Sequence, residues 1–145
     1  MAAPFVMLVD DEPAFVETMT KRLGKRNFKT ISALSGDEAL ETLSKNRNVD
    51  VVILDVKMPG KDGIETLKEI KKTYPLVEVV MLTAHATVES AIEGMKLGAY
   101  DYLMKPCEIE QLMEKVEGAT KKRRLHQDKI REAQVKEALS THGLE

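Results

Sequence analysis

Five polar residues in this sequence stand where an apolar run stops. Asp10 and Asp11 follow Phe5-Val6-Met7-Leu8-Val9, and Asp55 follows the run from Val49 to Leu54. Thr83 follows Val77 to Leu82, and Lys105 follows Tyr100 to Met104. Singly, each has an ordinary explanation: an aspartate caps a helix, a threonine suits a strand, a lysine points into water. Together they form a chemical set. Three carboxylates brought to one place repel one another unless a cation lies between them. Hard oxygen donors call for Mg²⁺, or Mn²⁺, which also accepts waters, phosphate oxygens and a backbone carbonyl from the loop after Asp55. A carboxylate is a competent nucleophile in aspartyl-phosphate chemistry. A lysine binds a phosphoryl oxygen as a point charge, and a threonine hydroxyl donates to another. Phosphoryl transfer gains most from positioning and charge stabilisation, so no further general base is required.

The elements that must hold these residues alternate. Apolar runs of strand length are followed five times by stretches of helical period. Pro13 suits the first turn of a helix whose inner face is Phe15, Val16, Met19 and Leu23. Thr30 to Leu34 reads as a weaker strand, and Ser35-Gly36-Asp37-Glu38 has capping-box spacing before Ala39, Leu40 and Leu43. Met58 to Gly63 is turn chemistry, and a helix through Ile64, Leu67 and Ile70 stops before Pro75. Val88, Ala91, Ile92 and Met95 mark a fourth helix closed by Gly98; Ile109, Leu112, Met113 and Val116 mark a fifth. Alternating strands and helices predict an α/β fold, a doubly wound parallel sheet with helices on both faces. An eight-fold barrel would need roughly 250 residues. In such open sheets ligands bind outside the carboxyl ends of the strands, where strand order reverses. All five polar residues are expected on that edge.

The chain has 145 residues, enough for one domain with its own core and a short appendage. Its domain is expected over residues 1–120, with a charged helical tail or linker over 121–145. A net charge of −2 gives no pull towards nucleic acid or an anionic membrane. No apolar run approaches the ~18 residues that span a bilayer. The amino terminus lacks the basic and apolar regions of a signal peptide. The single cysteine, Cys107, forms no internal disulfide, which fits a reducing cytoplasm. The expected localisation is therefore cytoplasmic, with no direct nucleic-acid or membrane contact. Lys121-Lys122-Arg123-Arg124 has no interleaved aromatics and reads as a solvated linker. Cys107, His126 and His142 lack partners at ligand spacing. The methionines read as core filler, with Met58 and Met95 suited to an adaptable partner surface.

Four runs in register carry a resemblance: Val9-Asp10-Asp11-Glu12, Leu54 to Gly63, Leu82-Thr83-Ala84 and Gly98 to Pro106. In these the chain resembles response-regulator receiver domains over roughly residues 4 to 120. The resemblance implies a flavodoxin-like five-stranded sheet of order 2-1-3-4-5. It makes Asp55 the phosphoacceptor, Asp10 and Asp11 the metal-binding acids, and Thr83 and Lys105 the phosphate-sensing pair. It also implies that the backbone carbonyl of Lys57 is a metal ligand, that Tyr102 is a switch aromatic coupled to Thr83, and that Lys105-Pro106 is cis. Lys57 and His85 fall where the family varies and where side chains influence how fast the phosphoryl group is lost. The partners implied are a histidine kinase or histidine phosphotransfer protein upstream and a protein or output domain downstream. A homodimer through the fourth helix, fifth strand and fifth helix, or through the tail, is also implied. Thr83 to Pro106 most resembles receivers attached to transcriptional ATPases.

Other classes fit less well. A haloacid-dehalogenase-like phosphatase needs Asp-x-Asp, whereas Asp55 is followed by Val56 and Lys57. A binding module that no longer phosphorylates would not need every chemical residue. Neither Gly-x-Gly-x-x-Gly nor a P-loop is present, so nucleotide binding has no support. The chain is thus expected to be a signalling phosphoacceptor rather than an enzyme, one that assists its own phosphorylation and dephosphorylation.

Overall fold

A computed structural model describes residues 2–58 and 60–141; Pro59, within the turn from Met58 to Gly63, and His142 lie outside them. The elements alternate along the chain: β1 (Phe5–Val9), α1 (Pro13–Gly24), β2 (Lys29–Ala33), α2 (Gly36–Lys45), β3 (Val51–Leu54), α3 (Gly63–Thr73), β4 (Glu78–Thr83), α4 (Val88–Lys96), β5 (Asp101–Met104) and α5 (Ile109–Thr141). The strands form one parallel sheet of order β2-β1-β3-β4-β5. This is the flavodoxin-like arrangement expected.

Strand periodicity divides the core in two. Met7, Val9, Val52, Leu54, Val79 and Met81 face one side, against Ala39 and Leu43 of α2 and Leu67 and Ile70 of α3. Val6, Leu8, Val51, Ile53, Val80 and Leu82 face the other, against Val16, Met19 and Leu23 of α1 and Leu112, Val116 and Ala119 of α5. Because both faces are covered, the central strands are continuous apolar runs rather than alternating ones. Side-chain caps fix where helices begin. The amides of Glu38, Glu65 and Ser90 donate to the side chains of Ser35 (3.1 Å), Asp62 (2.9 Å) and Thr87 (3.0 Å). Each cap satisfies an amide that has no partner inside its helix.

Two features depart from the sequence reading. Val88, Ile92 and Met95 are exposed, and Gly94 is the buried residue of α4. A Cβ on Gly94 would stand 3.7 Å from Tyr102, 3.8 Å from Met81 and 3.9 Å from Ile64, so α4 packs through its glycine and leaves its larger apolar side chains outside.

The basic run differs as well. α5 continues unbroken past residue 120 to Thr141, and Arg123 is only 6% exposed. Arg123 Nη1 meets Asp50 Oδ1 at 3.1 Å, and Arg124 grips both oxygens of Asp50 at 3.3 and 2.9 Å. Asp50 also accepts from the Phe5 amide at 2.9 Å. Lys122 and Lys71 lie 3.5 and 3.4 Å from the buried carboxylate of Glu78. Two carboxylates at the amino-terminal edge of the sheet thus fasten three cations of the run to the body. The reason is geometric. Residues 112, 116, 119 and 123 share one face of the helix, which continues along the sheet until it meets Asp50.

Candidate functional site

The sheet order reverses between β1 and β3, and the candidate site lies at their carboxyl ends. Backbone hydrogen bonds extend the ladder past the last strand residues. The Asp10 amide donates to the Ala33 carbonyl (3.2 Å), that of Asp55 to Val9 (3.0 Å), and that of Lys105 to Thr83 (2.9 Å). These bonds set Asp55 beside the end of β1 and Lys105 beside Thr83. One carboxylate oxygen from each of Asp10, Asp11 and Asp55 lies within 4.8 Å of the others. Asp10 and Asp55 are buried and Asp11 is half-buried.

The polar partners are unequally shared. Asp10 Oδ2 accepts from Lys105 Nζ at 2.6 Å, and Asp10 Oδ1 accepts from the Glu12 amide at 3.0 Å. Thr83, fully buried, accepts from the His85 amide at 3.0 Å, which leaves its hydroxyl proton available to Asp55. Asp55 Oδ1 is buried with no hydrogen-bond partner among the described residues. Burial holds the Asp55 carboxyl above its ordinary value of 3.8; the Thr83 hydroxyl opposes this, the Asp10 charge adds to it, and the Lys105 ammonium again opposes.

A group with a raised folded pKa favours the fold most when protonated. Its contribution is fully present below the ordinary carboxyl pKa and is lost as pH rises through the folded value. Asp55→Asn should therefore unfold later than the parent at pH 7 in metal-free buffer. The gain should be about 1 kcal/mol, as expected when an unsatisfied buried charge is removed. The two melting curves should converge as pH falls below about 4. A constant gap across that range would assign the effect to something other than ionisation of Asp55.

Four of the residues singled out by sequence, Asp10, Asp11, Asp55 and Lys105, thus meet at one edge, with Thr83 adjoining. Lys57 lies two residues beyond Asp55, its side chain exposed. Tyr102 is half-buried on β5, against the core on the α3 side. Its hydroxyl lies 2.8 Å from Ser90 Oγ, which also closes the α4 capping box with Thr87. Sequence reasoning missed Ser90, although the Thr87-x-x-Ser90 spacing was a visible capping signal. The Lys105-Pro106 bond is cis. Among the described residues no helix is long and apolar enough to cross a membrane.

The profile described as "Response regulator receiver domain" matches residues 6–117. "Transcriptional regulatory protein ZraR" of Escherichia coli O157:H7 is 39% identical over 114 residues, covering 79% of this chain and 26% of that protein. "DNA-binding transcriptional regulator NtrC" of Escherichia coli strain K12 is 34% identical over 119 residues, covering 82% and 25%. This chain therefore spans about a quarter of the length of these curated relatives. A solved receiver-domain protein from Clostridium thermocellum superposes with a TM-score of 0.80 at 34% identity, over 84% of this chain and 98% of that one. The receiver domain of the Francisella response regulator 1452 gives 0.73 at 35%, over 81% and 97%.

Proposed function

This chain belongs to the response-regulator receiver family, and on that premise we propose that Asp55 accepts a phosphoryl group, in a reaction that depends on Mg²⁺ or Mn²⁺. The observation that carries this reading is the buried, unpartnered Oδ1 of Asp55, a residue whose carboxylate shares an acidic cluster with Asp10 and Asp11. Thr83 and Lys105 are the groups that receive the phosphoryl oxygens. The receiver body is assigned to residues 1–120 and the tail or linker to 121–145.

The donor set suits a small hard cation: three carboxylates converge, and one of their oxygens lacks a partner. Asp10, Asp11, Asp55 and the Lys57 carbonyl would hold the ion. When bound, it would neutralise the acidic cluster and the incoming phosphate. The chain's own residues do the rest. A carboxylate oxygen of Asp55 attacks the phosphorus atom while the donor's bond to it breaks and the leaving group departs with the electron pair. Lys105 exchanges Asp10 for a phosphoryl oxygen, and Thr83 donates its hydroxyl to another. The acyl phosphate so formed favours whichever rotamer of Tyr102 leaves room for the displaced Thr83.

Acetyl phosphate with Mg²⁺ should add one phosphoryl group to the parent, read by intact mass, and none to Asp55→Asn. A phosphoryl group that persists on Asp55→Asn would move the nucleophile elsewhere. Asp11→Ala should weaken Mg²⁺ binding at least roughly tenfold. One unit charge at ~4 Å is worth several kcal/mol even at an effective dielectric of about 20. Unchanged affinity would remove Asp11 from the metal site.

The phosphoryl donor in the cell is taken to be a histidine kinase or a histidine phosphotransfer protein, and the setting the cytoplasm. The output surface is the face of α4, β5 and α5. There Val88 (76%), Ile92 (51%), Met95 (47%) and Met104 (61%) are exposed. A downstream protein or output domain, or a second copy of the chain, is expected to bind there or along the tail. NtrC is described as DNA-binding, and this chain matches only about a quarter of it. Any such activity in a longer protein is assigned to an output domain, not to the receiver body.

A further inference from the structure

We propose that Phe15 is a positioning residue for Lys105, its ring holding the ammonium beside the acidic cluster without consuming the donors that a phosphoryl group needs. The inference rests on the reading of Asp55 and Lys105 given above. Lys105 Nζ lies 3.9 Å from the centroid of the Phe15 ring while donating to Asp10 at 2.6 Å. Glu12, well exposed, is 3.9 Å away, too far for a hydrogen bond. The lysine side chain is only 13% exposed. It borders a groove between α1 and the turn after β5, lined by Phe15, Met19, Leu82, Ala84, Pro106 and Cys107, with Arg22 the other cation on its wall. An ammonium largely stripped of water is attracted more strongly to an aromatic face than an exposed one.

The choice of an aromatic partner has a chemical consequence. An ammonium carries three donors and no acceptor. A second carboxylate at this place would neutralise its charge and claim another N–H. The ring quadrupole attracts the charge as a whole and fixes no single proton. The head group can therefore pivot from Asp10 to a phosphoryl oxygen while staying over the ring, so the exchange of partners does not pass through an unsolvated, unpartnered cation. Phe15 was expected to be core, yet it is only half-buried, and a leucine or valine would cover the same apolar surface. What those residues lack is the π face.

The test compares Phe15→Leu, which keeps apolar volume and loses the face, with Phe15→Tyr, which keeps both. The Lys105 Cε protons, lying over the ring, should be shifted upfield by ring current in the parent and in Phe15→Tyr, and return to ordinary values in Phe15→Leu. Phosphorylation by acetyl phosphate at saturating Mg²⁺ should slow roughly three- to tenfold in Phe15→Leu, and stay within about twofold of the parent in Phe15→Tyr. In a Lys105→Ala background Phe15→Leu should have no further effect. Parent-like Lys105 shifts in Phe15→Leu would overturn the proposal. So would an equal slowing in Phe15→Tyr, or the same slowing without Lys105. The shift measurement needs no phosphorylation, so a failure of Asp55 to accept phosphate would be seen separately from a failure of the Phe15 contact.

Discussion

Asp50→Ala should cost roughly 3–5 kcal/mol of folding stability, the range for removing one partner of a buried ion pair. Asp50 is 2% exposed and answers the guanidinium groups of Arg123 and Arg124 as well as the Phe5 amide. Without it the Arg123 charge, whose side chain is 7% exposed, keeps, among the described residues, the Arg47 carbonyl (3.2 Å) and Gln127 (3.3 Å). Arg124→Ala should cost only about 1 kcal/mol. Its side chain is a quarter exposed, and Asp50 retains Arg123 when it is lost. Urea unfolding gives both values through the midpoint at unchanged slope. Hydrogen exchange adds a local readout. In Asp50→Ala, amides around residues 120–127 should exchange much faster, because that stretch of α5 loses the ion cluster that holds it to the sheet. An Asp50→Ala variant as stable as Arg124→Ala would mean that the ion cluster does not fasten α5.

Gly63→Ala should both destabilise the fold, by roughly 1–3 kcal/mol, and slow phosphorylation of Asp55 by an order of magnitude or more. A Cβ at residue 63 would collide with the Asp55 carbonyl oxygen, and would lie 2.6 Å from Val56 Cα and 2.8 Å from the Asp55 carbonyl carbon. Every one of these atoms is backbone, so no flexible side chain can yield. Relief requires that α3 or the end of β3 shift, and the Gly63 amide now donates to the Val56 carbonyl at 2.6 Å. A displacement of about 1 Å at a reacting group is enough for a hundredfold loss of rate. Gly24→Ala makes the contrast, since nothing lies within 4 Å of its Cβ position. That variant should phosphorylate like the parent. If Gly63→Ala does so as well, the close approach of α3 is not what holds Asp55 in place.

Which features could be read from the chain follows from the range of the interactions. The acidic edge was legible because each of its residues ends an apolar run. In a parallel sheet with short links the ends of neighbouring strands must meet. Asp10, Asp11, Asp55, Thr83 and Lys105 therefore came together by topology, without knowledge of any side-chain contact. The caps at Ser35 and the Pro13 start were legible because they act within one helical turn. Boundaries were less so. β3 starts at Val51 rather than Val49: the Val49 amide is spent on the Asn46 carbonyl in the preceding turn (3.3 Å), and Asp50 only leads into the ladder through its bonds to Phe5 and Glu78.

Contacts between residues remote in sequence were decided only by the tertiary structure. Val88, Ile92 and Met95 carry an apolar period that normally marks a buried face. They stay outside because Gly94 sets the depth at which α4 meets Tyr102. Phe15 looks like any inner residue of α1 until the turn after β5 brings Lys105 over its ring. The run Lys121 to Arg124 looks like a solvated linker, since charge in a sequence says nothing of where its counter-charge will be. Asp50 and Glu78 are likewise single acids inside apolar runs. Folding carries α5 along the sheet to their edge, and burial then makes each cation and carboxylate depend on the other, a relation that exists only once the helix and the strands are in place.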